Sequence, residues 1–206
     1  MKILFLALCL VFPVRCLADM TIVVKTDDQT QTIYIKGQKA RMEYVEPTTP
    51  PRAVYEVMDL QAKRMTVVDR TTGRADTRIM DLAAEADILK DMFAARPLQI
   101  RPTGVRTTVN GFRCLEYRMT VVGAIAKDVR YWVTDEVDTS EYDRFRQRLD
   151  TTLVILGPGV RGVPGMLIRA EIRTRSQPPQ KTTVEVVRLS RESLSDALFA
   201  VPARGR

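Results

Sequence analysis

From Asp19 to Asp81 apolar and polar side chains alternate with period two, which predicts β-strands that bury one face. Ile22 and Val24 share a face, as do Ile33 and Ile35, then Ala40, Met42 and Tyr44, and later Tyr55 and Val57. Turn residues break the run at short intervals. Lys36-Gly37-Gln38-Lys39 carries a hairpin glycine, Pro47 to Pro51 makes a rigid loop, and Asp69-Arg70-Thr71-Thr72-Gly73 marks the next reversal. The order predicts an antiparallel meander.

The period changes at Asp81, a good N-cap residue. Leu82, Ala86, Leu89 and Phe93 then repeat at helical spacing until Arg96-Pro97 ends the run. Strands resume with Leu115, Tyr117, Met119 and Val121 after the Asn110-Gly111 turn, and again with Val129, Tyr131 and Val133. A second helix is expected from near Asp138, with Glu141 placed for a capping box and Tyr142, Phe145, Leu149, Leu153 and Leu156 along one side. Its end, over Thr151 to Leu156, fits an extended strand equally well. Beyond the loop Gly157 to Gly165, Met166, Ile168, Ala170 and Ile172 alternate, and Val184 and Val186 follow the turn Gln177 to Gln180. One curved antiparallel sheet with a few helices against one face accounts for this order, an α+β architecture. No repeat or linker interrupts residues 19–206, so they are expected to form a single domain.

The first 18 residues follow a different pattern. Lys2 precedes an apolar run from Ile3 to Val14 and a small-residue ending, Cys16-Leu17-Ala18, which together read as a secretory signal peptide cleaved after Ala18. The run is too short to cross a hydrocarbon core of roughly 30 Å, and Pro13 disturbs its end. No stable membrane span is expected. Arg15, just before Cys16, argues against lipoprotein processing. The expected address is the periplasm, with secretion as the alternative.

Removing residues 1–18 takes Lys2 and Arg15 from the 32 basic side chains and none of the 25 acidic ones, so the formal net charge falls from +7 to +5. The charges are interspersed, and no aromatic-basic stripe is present to stack bases, so nucleic acid is not an expected partner. The positive excess suits a solvated surface or attraction to anionic lipid head groups. Two of the three cysteines leave with the signal, and Cys114 alone cannot close an internal disulfide. Stability must come from the apolar core.

The chain contains no histidine, which removes the commonest general base near neutral pH and the commonest metal ligand. Cys114 has no histidine to activate it and reads as packing, or as one half of an intermolecular disulfide. Gly157-Pro158-Gly159-Val160-Arg161-Gly162 matches a dinucleotide fingerprint, but Pro164-Gly165 and an alternating segment follow where the fingerprint needs a helix. The acidic pairs Asp27-Asp28 and Asp135-Glu136 lie at strand ends, without calcium-loop spacing. No catalytic residue, metal or cofactor is expected, and the chain reads as a non-enzyme. Met42, Met58, Met65, Met119 and Met166 fall within strands, where flexible thioethers either fill a core or line a site for irregular apolar ligands.

Ile33-Tyr34-Ile35-Lys36-Gly37, Arg41-Met42-Glu43, Met58-Asp59-Leu60 and Met65-Thr66-Val67-Val68-Asp69 open an ordered series. Asn110-Gly111-Phe112-Arg113-Cys114-Leu115-Glu116-Tyr117, Tyr131-Trp132-Val133-Thr134 and Leu198-Phe199-Ala200-Val201-Pro202 complete it. In that order the chain resembles a bacterial envelope family catalogued as a domain of unknown function, which is similar to the periplasmic lipoprotein-carrier (LolA/LolB-like) superfamily. The resemblance implies an open half-barrel whose concave apolar face is covered by helices and offers a cavity for acyl chains. The carrier's functional arginine is not assigned: Arg41 lies in a suitable early strand, but the local motif differs. Strand parity then nominates Ile33, Ile35, Met42, Tyr44, Val57, Met65, Leu115, Tyr117, Met119, Tyr131, Met166 and Ile168 as lining residues. The expected partner is a lipid or lipidated protein. The alternative is an envelope interaction or assembly factor with a packed core and a protein partner.

Overall fold

The computed structural model describes residues 19–27, 29–79, 99–121, 127–140, 142–143, 163, 165–174, 178 and 180–202. Among these residues, eleven strands form one antiparallel sheet. They are β1 (Met20–Thr26), β2 (Gln29–Lys36), β3 (Lys39–Glu46), β4 (Arg52–Asp59), β5 (Arg64–Asp69), β6 (Ala75–Ile79), β7 (Gln99–Val109), β8 (Phe112–Val121), β9 (Lys127–Thr134), β10 (Met166–Thr174) and β11 (Lys181–Ser190).

The spatial order β6-β5-β4-β3-β2-β1-β11-β10-β9-β8-β7 contains two meanders. The chain runs outward from β1 to β6, resumes at the opposite edge with β7, and returns to β11, which pairs with β1. First and last strands therefore meet at the centre, and the sheet is open, with β6 and β7 as its edges.

Two turns follow directly from their residues. Lys36 lies opposite Lys39 with Gly37 at a φ of +56°. Val109 lies opposite Phe112 across Asn110-Gly111, whose φ values of +49° and +85° are those of a tight turn that matches strand twist. Alternation reveals no strand over 99–109, because Pro102 and Gly104 interrupt it. The segment becomes β7 at an edge, where a proline costs no ladder bond, and its register slips between Pro102 and Arg106. Further bulges occur in β10 between Leu167 and Arg169 and at β1–β11 beside Val23 and Val24.

The helix expected over Asp81 to Arg96 lies outside the described residues, as does the loop Gly157 to Gly162. Of the second expected helix, Ser140, Tyr142 and Asp143 are described and helical, and Asp138 Oδ1 accepts from the Ser140 N–H at 3.0 Å, as an N-terminal cap does. Tyr142 is buried in the same core as Met42, Met58 and Trp132, so the start of this helix packs on that face of the sheet, and among the described residues no helix of greater length is laid across it. What also covers part of the sheet is the C-terminal tail, with a single turn of 3₁₀ helix at Asp196–Phe199 capped by Ser195. Phe199 packs there against Tyr55, Val57 and Val68.

That tail corrects one expectation. Tyr55 and Val57 do share a face, but it is opposite to the one that holds Met42 and Met58, and β4 is buried on both sides.

Candidate binding face

Cross-strand register arranges the apolar side chains in rows, because residues directly opposite one another project to the same face. One row runs Met20, Ile35, Ala40, Met58, Met65 from β1 to β5. All five are buried. The next row begins Ile22, Ile33, Met42 and then meets Glu56. Met166 and Ile168 of β10, Val186 of β11 and Trp132 of β9 join the same core, as do Val109 and Cys114. Met20, Met42, Met58, Met65 and Met166 make this face rich in thioethers.

Asn110 closes one end of it. The tip of the β7–β8 hairpin reaches β11, where Asn110 Nδ2 donates to the Val186 carbonyl at 2.9 Å. In a flat sheet β8 and β11 would stand about 14 Å apart, at roughly 4.8 Å per strand step. The contact therefore requires this half to curl over, as bulges promote.

Polar atoms enter the face at its β3–β6 side. Tyr44 Oη donates to Glu56 Oε1 at 2.8 Å. Burial, aided by that carboxylate, pushes the Tyr44 phenol above its ordinary range, so Tyr44 stays a neutral donor. Arg78 lies opposite Met65 and points Nη2 at its sulfur, 3.8 Å away. Among the described residues no three acidic or cysteine side chains gather as a metal site, and no helix is long and apolar enough to cross a membrane.

The nominated lining residues separate into groups. Ile33, Ile35, Met42, Met65, Met166 and Ile168 belong to this core, with Tyr44 packed against it. Tyr131 belongs to a second cluster with Val129, Val133, Val163 and Ala170, against which Tyr117 and Met119 pack. Tyr131 donates toward the Met119 sulfur at 3.8 Å, and burial pushes its phenol up to about 12. Leu115 is half-buried opposite Val133 and belongs to none of the clusters. Val57 stands apart on the other face, under the tail.

Met20 and Glu56 were not nominated. Met20 precedes the first recognisable alternating pair, although its parity with Ile22 signals it. Glu56 looks like an ordinary polar alternation partner of Tyr55 and Val57, and the β3–β4 register, which sets it opposite Met42, places it beside the methionines.

Residues 16–204 match the family described as "Domain of unknown function (DUF4412)". No curated protein matches. Among solved structures, an uncharacterized conserved protein from Thermus thermophilus is 8% identical, with 89% of this chain and 85% of that one covered and a TM-score of 0.49. The lipoprotein LppX of Mycobacterium tuberculosis is 12% identical, with 85% and 86% covered and a TM-score of 0.44. A LolA superfamily protein from Nitrosomonas europaea is 9% identical, with 89% and 88% covered and a TM-score of 0.28.

Proposed function

Because the chain belongs to the DUF4412 family, whose description assigns no activity, we propose a function from its residues: a non-enzymatic periplasmic binding or carrier protein for a lipid, a lipidated peptide or another apolar molecule. The observation that carries this reading is the contiguous methionine-rich face formed by Met20, Met58 and Met65 in one row and Ile22, Ile33 and Met42 in the next. Thioethers adapt to irregular apolar shapes, and an acyl chain gains roughly 25 cal/mol for each Å² it buries. Tyr44 and Glu56 at the margin supply polar groups that could orient a ligand. In this reading the sheet is a half-barrel of the lipoprotein-carrier kind, and the helices expected over Asp81 to Arg96 and from Asp138 cover its concave side.

Export follows from the same proposal. The sheet begins at Met20, one residue after Asp19, whose carboxylate accepts from the Leu194 N–H at 2.7 Å.

A second reading has its own support. Met20, Ile35 and Ile168 are fully buried, as side chains are in a core with no room for a ligand. The protein would then be an envelope interaction or assembly factor. Native mass spectrometry of protein taken directly from the envelope separates the two. A co-purifying apolar mass, lost on organic extraction, is expected; bare protein together with a stoichiometric protein crosslink in cells would transfer the assignment to assembly.

A further inference from the structure

The two edges of the sheet differ. β7 carries Pro102, which has no amide hydrogen, and its register slips between Pro102 and Arg106; such interruptions blunt an edge against further pairing. β6 is short, but its five residues run in unbroken register with β5. Two bonds fix which of its backbone groups face outward. The Asp69 N–H donates to the Arg74 carbonyl at 3.0 Å, so odd-numbered positions of β5 bond toward β6. The Arg70 N–H donates to the Ala53 carbonyl at 2.9 Å, so even-numbered ones bond toward β4. Bonds alternate along an antiparallel ladder, and Asp76 and Arg78, opposite Val67 and Met65, therefore spend their amides and carbonyls on β5. Ala75, Thr77 and Ile79 aim theirs at the open edge, where no strand among the described residues receives them.

The side chains of β6 add a charge pattern. Asp76 and Arg78 are exposed on the face that holds Met65. Among the described residues neither forms an ion pair, and Arg78 rests on the Met65 sulfur. On the other half of the sheet the charges are met internally. Arg118, between Arg101 and Arg130 in register, is held by Asp128 at 2.9 and 3.0 Å, and Glu171 lies opposite Arg130. Ile79, on the reverse face of β6, is 82% exposed.

We propose that β6 pairs with β6 of a second copy of this chain, antiparallel and centred on Thr77, joining two sheets across a two-fold axis. That alignment uses all five residues of the strand. Thr77 and the partner's Thr77 exchange backbone bonds, as do Ala75 and the partner's Ile79, because these are the positions whose groups point outward. Between them Asp76 faces the partner's Arg78, and Arg78 the partner's Asp76. Such positions, which share no backbone bonds, bring Cα atoms to about 4.5 Å, where opposite charges stabilise pairing. The pattern is thus complementary to itself, which an isologous contact requires and a strand from an unrelated protein would match only by accident. The axis stands perpendicular to the joined sheet, so both methionine-rich faces open on the same side. The pairing does not depend on whether that face holds a ligand: association state and retained apolar mass are separate readouts.

The test is sedimentation velocity of the purified protein from roughly 10 μM to 1 mM, the range in which a contact of one short strand associates. A reversible dimer is expected. Thr77→Pro removes an amide hydrogen that points to the open edge and spares the β5 ladder, so it should weaken the dimer at least about ten-fold. Asp76→Arg alone and Arg78→Asp alone each set like charges opposite one another and should also weaken it about ten-fold or more. An equimolar mixture of those two variants should associate again, because every arginine then faces an aspartate. Circular dichroism reports whether each variant is folded, and the mixture tests pairing even if the proline variant is not. A protein that stays monomeric throughout, a dimer that a folded Thr77→Pro leaves intact, or charge variants that fail to associate on mixing overturns the proposal. So does a stoichiometric crosslink from β6 to a different protein in cells with no crosslink between copies, which would assign the edge to that protein.

Discussion

Asn110 donates its side-chain amide to the carbonyl of Val186, 76 positions further along the chain, and so ties the tip of the β7–β8 hairpin to the strand that closes the sheet on β1. The same residue sits at a φ of +49°, where asparagine is favoured over most others. Its two roles separate by mutation. Asn110→Gly keeps the turn and loses the bond, and is expected to cost about 1 kcal/mol in urea unfolding. Asn110→Ala loses both and should cost about 1 kcal/mol more. Equal losses would show that the bond, not the turn, carries the whole effect.

Gly165 leads into β10 at a φ of +107°, and a Cβ built there would lie 2.3 Å from the Thr134 carbonyl oxygen. Backbone cannot yield as a flexible side-chain tip can. Gly165→Ala should therefore cost roughly 2–3 kcal/mol, and thermal unfolding of the variant reads it directly.

The tail acts as a strap. Arg41 lies over the Tyr55 ring, 3.7 Å from its centroid, while Nη1 donates to the Leu198 carbonyl at 2.8 Å. Lys36 Nζ donates to the Leu194 carbonyl at 2.5 Å. Phe199→Ala should cost about 3 kcal/mol through its cavity. Arg41→Lys keeps the charge but loses the planar stack, and about 1 kcal/mol is expected. Limited proteolysis should cut the tail faster in both variants.

Burial pushes the Cys114 thiol from its ordinary value near 9 up to about 11. The folded state holds the proton more tightly than the unfolded one, so this contribution to stability is complete below about pH 9 and is lost as pH rises toward 11. Alkylation by iodoacetamide at mildly alkaline pH should be slow in the native protein and fast in denaturant. Rapid native labelling would show that the hairpin tip opens.

Parity offers a test of the proposed ligand face. Met42→Ala and Val57→Ala both empty buried volume, and each should destabilise the fold by about 1–3 kcal/mol. If an apolar molecule occupies the methionine-rich face, Met42→Ala should alter the amount retained in native mass spectrometry, while Val57→Ala, under the tail, should leave it unchanged. A loss at both positions, or at neither, would count against that site.

Much of the first meander was legible from alternation alone, because Ile22, Ile33, Ile35, Ala40 and Met42 each face a solvated or half-buried neighbour. β4 was legible as a strand from Tyr55 and Val57 but its second buried face was not, since Val54 and Tyr55, then Val57 and Met58, are buried in adjacent pairs. Period two disappears once both faces are covered, and the cover comes from Phe199, more than a hundred residues away. β7 escaped for a local reason, its proline and glycine, which only an edge position tolerates. Of the candidate lining residues, parity placed Ile33, Ile35, Met42 and Met65 together. It could not separate Tyr131 and Met119 into their own cluster, because register breaks at β10 and β1–β11 shift which side chains align across the sheet.

The residues by themselves determined the strands with clean alternation, the turns at Gly37 and Asn110-Gly111, and the absence of histidine. These are properties of single positions and near neighbours, set by backbone geometry and side-chain chemistry. The pairing of β1 with β11, the tail laid over Tyr55, and the alignment of Arg101, Arg118 and Arg130 were decided by tertiary structure alone. Each depends on register between strands that no local rule couples, and a one-residue shift would turn the arginines to alternate faces.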